Sequence, residues 1–179
     1  MTEYIYINEV GPRDGLQNQK TILDIESRTN LIKQLIEAGI PGIEVGSFVS
    51  PKAVPAMAGT GEIVKSLENI NNCDLSVLIP NMKGYELARD AGAKIMTVVP
   101  SATETMNQKN INMSLNETVT NSCSILQAAK SMLIDIEKHA RAIGNGGMQA
   151  YAAMKFQEFS LGNSGLDINA DMVAGKLAQ

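Results

Sequence analysis

The chain has 179 residues, 44% of them hydrophobic, enough for one domain with a buried core. Its 15 basic and 19 acidic residues leave a net charge of −4, so no nucleic acid and no anionic membrane is the expected partner. Aromatics make up 4% and tryptophan is absent, which argues against a base-stacking platform, and no apolar run reaches the ~20 residues of a membrane span.

Tyr4-Ile5-Tyr6-Ile7 opens a predicted strand over 4–10, expected to be buried from its β-branched and aromatic content. Val10-Gly11-Pro12-Arg13-Asp14-Gly15-Leu16-Gln17-Asn18 then forces an abrupt turn through Gly11, Pro12 and Gly15. Arg13, Asp14 and Gln17 thereby come to the carboxyl edge of a sheet, where open α/β sheets and βα-barrels build their sites. The alternative is a solvated turn whose Arg13 and Asp14 simply pair with each other.

Asp24 or Ser27 can cap a helix carrying Leu31, Ile32, Leu35 and Ile36 on one face, with Gly39 as its stop. A second strand over 41–46 leads into a proline-punctuated loop, 47–60. Thr60 is the expected cap of a helix to about residue 70, with Ile63, Val64 and Leu67 inward. A strand over 74–79, a helix over 84–91 and a strand over 94–99 follow. A long helix from Ser114 carries Val119, Cys123, Leu126, Ala129, Leu133 and Ile136 at three-to-four spacing. This alternation predicts an α/β fold with a parallel sheet and crossover helices. The rhythm breaks at Gly144-Asn145-Gly146-Gly147, after which 148–154 could be a strand and 168–178 a short helix. Cys73 and Cys123 lack Cys-x-x-Cys spacing and read as reduced packing residues.

The nine residues from Val10 to Asn18 resemble the signature of the 3-hydroxy-3-methylglutaryl-CoA lyases, metal-dependent βα-barrel enzymes that release acetoacetate and acetyl-CoA. Gly42-Ile43-Glu44-Val45-Gly46-Ser47-Phe48-Val49-Ser50-Pro51-Lys52-Ala53-Val54-Pro55 is similar to that family's second strand and loop. Pro80-Asn81-Met82-Lys83-Gly84-Tyr85-Glu86 is similar to its third strand end. Ser101-Ala102-Thr103-Glu104 with Asn107-Gln108-Lys109-Asn110-Ile111-Asn112 is similar to its fourth segment. The resemblance covers residues 4–130 and implies a partial (β/α) barrel (TIM type) of about four βα units over 1–143. A shortened remnant of strands five and six over 144–179 completes a single incomplete barrel domain. Within that remnant, Gln157-Glu158-Phe159-Ser160-Leu161-Gly162-Asn163 resembles the sixth strand. Asn163 and Ser164 stand where the family has aspartate and threonine.

The resemblance also implies roles. Arg13 and Glu44 are the expected catalytic residues, Arg13 stabilising charge that develops on a thioester enolate. Asp14 is the expected ligand of a divalent metal, Mg²⁺ or Mn²⁺, that polarises the C3 oxygen. Arg13, Gln17, Ser47 and Asn110 are the expected substrate-binding residues for an acyl-CoA thioester. A carboxylate at Glu44 requires a partner, either Arg13 or a metal-bound water; the alternative is an Arg13–Glu44 pair that merely closes the barrel mouth. Lys20 meets ligand oxygens or solvent.

The family's His-x-His pair and its Gly-Gly-Cys-Pro loop are absent from these 179 residues. The one histidine, His139, is expected on the long helix, paired with Asp135 or solvated. A truncated or internally deleted lyase is therefore expected, with poor metal retention. Two outcomes stand open: lyase-type carbon–carbon cleavage, as in leucine degradation, or an inactive lyase-derived fragment binding acyl-CoA or a partner chain. Four strands leave two open sheet edges, which predicts self-association. Cytoplasmic placement is expected from an N-terminus with no transit pattern, a mitochondrial one being possible by family.

Overall fold

The computed structural model describes residues 5–142, with side chains through Met132. The chain divides into two units, Met1–Ile125 and Leu126–Gln179. The sheet lies in the first. The second enters the description only as helix 126–142, so the expected strands over 148–154 and 157–163, the short helix over 168–178, Asn163, Ser164 and the side chain of His139 lie outside the described residues.

Four strands, β1 (Asn8–Glu9), β2 (Gly42–Ser47), β3 (Asp74–Leu78) and β4 (Ile95–Thr97), form one sheet in chain order, every pair parallel. The helices α1 (Ile25–Glu37), α2 (Thr60–Ser66) and α3 (Met82–Asp90) make the crossovers. After β4 come α4 (Glu104–Ile111) and α5 (Leu115–Ala142). The expected α/β order of βα units is present, and all six residues of β2 are buried, as befits a strand covered on both faces.

Local chemistry sets the helix ends. Asp24 caps α1 by accepting from the Ser27 amide at 2.7 Å, and Gly39 ends it at φ +84°, a conformation other residues rarely adopt. Asn81 accepts from the Gly84 amide at 3.0 Å, which starts α3 two residues earlier than expected. Ser114 and Glu117 form a reciprocal capping box on α5: Glu117 Oε2 accepts from the Ser114 amide at 2.7 Å, and Ser114 Oγ from the Glu117 amide at 3.2 Å.

Four expectations need correction. The first strand is two residues long, and Ile5 (79% exposed), Tyr6 and Ile7 lie open rather than buried. Their segment runs along an edge of the sheet, held by the Tyr6 hydroxyl, which donates to Asp74 Oδ2 at 2.8 Å. Thr60 is not a cap. Gly59 takes that position at φ +75°, and the Thr60 hydroxyl instead donates to the Met57 carbonyl at 2.8 Å. Asn110 and Ile111, expected in a loop, form the last turn of helix α4, which Thr103 caps. Finally, the buried stripe of α5 is Thr118 and Ile125, while Leu126 is exposed. Val119 and Cys123 of the expected stripe are half-buried, and the side chains of Leu133 and Ile136 lie outside the described residues.

The core combines β2 and β3 with the inner faces of the crossover helices: Ile32, Ile43, Val45, Ile63, Leu67, Val77 and Tyr85 are all buried. One cation is buried with them. The guanidinium of Arg28, on α1, donates to the Ala58 carbonyl at 2.7 Å and to Thr60 Oγ1 at 3.3 Å. Burial lowers its pKa from the ordinary arginine value. A side chain at Gly46 would collide with Thr60 and Arg28, so the close approach of β2 to the start of α2 requires glycine there.

Two stability outcomes follow. Ile43→Ala removes a fully buried side chain at the sheet centre and should cost about 2–5 kcal/mol in denaturant unfolding, against about 0.5–1.5 kcal/mol for Ile43→Val. The bonds to Ser27, backbone first, lower the Asp24 pKa. Its cap therefore stabilises fully above the unfolded carboxylate pKa and is lost as pH falls through the lowered folded value. Asp24→Ala should be destabilised relative to the parent chain at neutral pH, and the gap in melting temperature should narrow in acid.

Candidate active site

The turn after β1 is a single π-helical turn, Gly11–Gly15, with Pro12 buried beneath it. The amides of Arg13 and Asp14 both donate to the Val10 carbonyl, at 3.1 and 2.7 Å. This tight winding presents consecutive side chains outward at the carboxyl end of the sheet. Arg13 Nε donates to Glu44 Oε1 on β2, and Arg13 Nη1 to Asp14 Oδ1 at 2.7 Å. Gln17 Nε2 donates to the same Asp14 oxygen at 3.0 Å. Both local readings of the turn are therefore realised at once, the Arg13–Asp14 pair and the Arg13–Glu44 pair.

The two carboxylates differ in setting. Glu44 is 4% exposed, whereas the Asp14 side chain is 55% exposed. A buried carboxylate must be matched, and Glu44 fixes the guanidinium from behind. Asp14 meets it from the solvent side, where the pair contributes little.

A bulge lies between Glu44 and Gly46, where β2 gains a residue against β3. Bulges re-aim side chains. This one separates Glu44, which holds Arg13, from Ser47, whose hydroxyl is buried and has no hydrogen-bond partner among the described residues.

Arg13, Asp14, Gln17 and Ser47 line one cavity of about 440 Å³ at the carboxyl ends of the strands. Val54 and Pro55 form one wall, Leu78, Ile79, Val98 and Val99 the floor, and Asn110, Thr118, Asn121 and Ser122 the far side. Every predicted substrate residue thus reaches the same cavity. Asn110 does so from the last turn of α4 rather than from a loop. Glu44 stands behind Arg13 and does not line the cavity, nor does Lys20. The residues missed by sequence reasoning are Asn18, Thr118, Asn121 and Ser122. On α5 the spacing Thr118, Asn121, Ser122, Ile125 was the available signal, a mixed stripe masked by the more apolar one beside it.

The donor set for a divalent cation is short. Hard cations take six or more oxygen ligands, and among the described residues no group of three or more His, Cys, Asp or Glu converges. Asp14 Oδ1 already accepts two hydrogen bonds. The described residues do not make a complete cation site. Burial and then the Asp74 carboxylate raise the Cys73 pKa, which disfavours its thiolate.

A parallel βα sheet in chain order, with its crossover helices and a cavity at its carboxyl edge, is part of a βα-barrel. The chain belongs to the HMGL-like family, whose model matches residues 4–158. It is 41% identical over 143 residues to a mitochondrial hydroxymethylglutaryl-CoA lyase of Macaca fascicularis, covering 80% of this chain and 44% of the relative. It is 38% identical over 135 residues to a 3-hydroxy-3-isohexenylglutaryl-CoA/hydroxymethylglutaryl-CoA lyase of Pseudomonas aeruginosa, covering 75% and 45%. Among solved structures, the hydroxymethylglutaryl-CoA lyase of P. aeruginosa superposes with a TM-score of 0.67 at 40% identity, over 72% of this chain and 43% of that one. An HMG-CoA lyase of Acinetobacter baumannii, in complex with coenzyme A and 3-methylmalate, gives 0.68 at 34% identity over 72% and 43%. The chain spans less than half the length of these relatives, and its fold is a partial barrel of their type.

Removing Glu44 should strand the Arg13 cation. Glu44→Ala is expected to lose about 3 kcal/mol in chemical denaturation, and Glu44→Gln less, since an amide oxygen still accepts from Nε.

Proposed function

We propose that the cavity serves carbon–carbon cleavage of the hydroxymethylglutaryl-CoA lyase type, yielding acetyl-CoA and acetoacetate. The observation that carries this reading is Arg13, held from behind by Glu44 and lining a cavity of small-ligand size. In such a cleavage the C3 hydroxyl loses its proton and the C2–C3 bond breaks. Its electron pair moves onto the thioester as an enolate while a ketone forms at C3. Protonation at C2 then gives acetyl-CoA. Charge grows on the thioester oxygen, and a fixed guanidinium stabilises that charge without reorganising. Glu44 is the group that keeps it fixed. Ser47 supplies a hydroxyl from inside the cavity, and Gln17 and Asn110 supply amides at its rim.

The cation that the family resemblance implies, Mg²⁺ or Mn²⁺, would find Asp14 as a single described ligand. This favours a second reading, in which the chain binds an acyl-CoA thioester without turning it over. Self-association would cover the sheet edges, where Ile7, Ile95 and Val99 are exposed. We place the protein in the cytosol, a choice supported by Cys73 and Cys123 being free thiols.

Acetoacetate release from 3-hydroxy-3-methylglutaryl-CoA, with Mg²⁺ or Mn²⁺ supplied, tests the first reading. Arg13→Gln should lower any turnover by about 10²–10³-fold, the scale of losing a preorganised donor. Turnover that survives Arg13→Gln would refute the role given to Arg13.

A further inference from the structure

Resting on the reading that the cavity takes a CoA thioester, we infer that this chain binds the thioester without a divalent cation, Arg13 being the counter-charge of Asp14. Asp14 Oδ1 is occupied by Arg13 Nη1 at 2.7 Å and Gln17 Nε2 at 3.0 Å. A cation on that carboxylate would have to sit beside a guanidinium that cannot lose its charge. Glu44, the other carboxylate of the site, is buried and committed to Arg13 Nε. The chain has therefore placed its own cation between its two acidic groups.

Unspent donors remain in the same cavity. The Ser47 hydroxyl is 2% exposed with no partner, and Arg13 Nη2 makes no hydrogen bond among the described residues. A buried donor left unmade is costly, so a ligand oxygen that accepts from it gains affinity. Among the described residues, one guanidinium meets the carboxylates of Asp14 and Glu44 and leaves no surplus positive charge, so an uncharged thioester carbonyl suits Arg13 and Ser47 better than a free carboxylate. The amides of Asn110 and Asn121 and the apolar floor at Ile79 and Val99 accommodate the remaining polar and methylene parts of such a ligand.

Calorimetric titration of the full chain with acetyl-CoA, in chelator and in Mn²⁺, tests this, with coenzyme A as the ligand lacking the carbonyl. Acetyl-CoA should bind more tightly than coenzyme A. Its Kd should agree within about twofold between the two buffers, since uncoupled ligands leave each other's affinity unchanged. Ser47→Ala should weaken acetyl-CoA and spare coenzyme A. Binding only in Mn²⁺, or a silent titration in both buffers, would overturn the inference. Acetyl-CoA binding in chelator upholds it, and if 3-hydroxy-3-methylglutaryl-CoA then releases no acetoacetate with Mn²⁺ supplied, the lyase reading falls while the inference stands. Cation-dependent binding together with turnover removes it and leaves that reading standing.

Discussion

A carboxylate inside an apolar strand is stable only when a cation meets it, and Glu44 is met by Arg13. The rest of the site depends on that contact. The pair joins the first turn of the chain to its central strand, across 31 residues of sequence. With Nε held by Glu44, the same guanidinium reaches Asp14 through Nη1. The pair also explains why an acidic residue is tolerated in β2, all six of whose residues are buried. Replacing such a pair by apolar residues can be neutral for stability. Its persistence here is thus better understood through what Arg13 presents than through the energy the pair contributes.

Around this contact the fold acts as a bracket. The π-helical turn winds Arg13, Asp14 and Gln17 onto the carboxyl end of the sheet, and the β2 bulge brings Ser47 to the same cavity. Arg28 ties α1 to the turn ahead of α2, next to the loop whose Val54 and Pro55 form one wall. The far side comes from α4 and α5, joined at their ends by Glu104, which accepts from the Leu115 amide at 2.7 Å. The cavity is therefore built from the loops after successive strands, as βα-barrel sites are. The described residues supply its recognition half, rich in donors, and leave the cation half short of ligands.

Much of this was legible in the residues. The βα order, the Asp24 cap, the Gly39 stop and the convergence of Arg13, Asp14, Gln17 and Ser47 followed from local punctuation and the Arg-Asp-Gly turn. The failures have physical causes. Ile5-Tyr6-Ile7 has strong β character, yet burial depends on neighbours, and an edge segment has them on one side. On α5 the fully buried positions, Thr118 and Ile125, are not those of the most apolar stripe, whose Val119 and Cys123 are half-buried; Thr118 Oγ1 donates to the Ser114 carbonyl at 2.9 Å and Asn121 Nδ2 to the Pro80 carbonyl at 3.1 Å. Arg28 could not be foreseen as a core residue, because nothing local reveals that the Ala58 carbonyl and Thr60 will come to meet it.

The most direct test of the account is the side-chain NMR signal of Arg13 Nε–H, assigned by its absence in Arg13→Lys. An Nε–H bonded to a buried carboxylate should exchange slowly with solvent and shift downfield, and Glu44→Gln should move it toward free arginine. Acetyl-CoA should then perturb the Nη protons while the Nε–H stays in place. An Arg13 Nε–H that exchanges as fast as a solvated arginine, and ignores Glu44→Gln, would contradict the claim that Glu44 holds the charge on which the site is built.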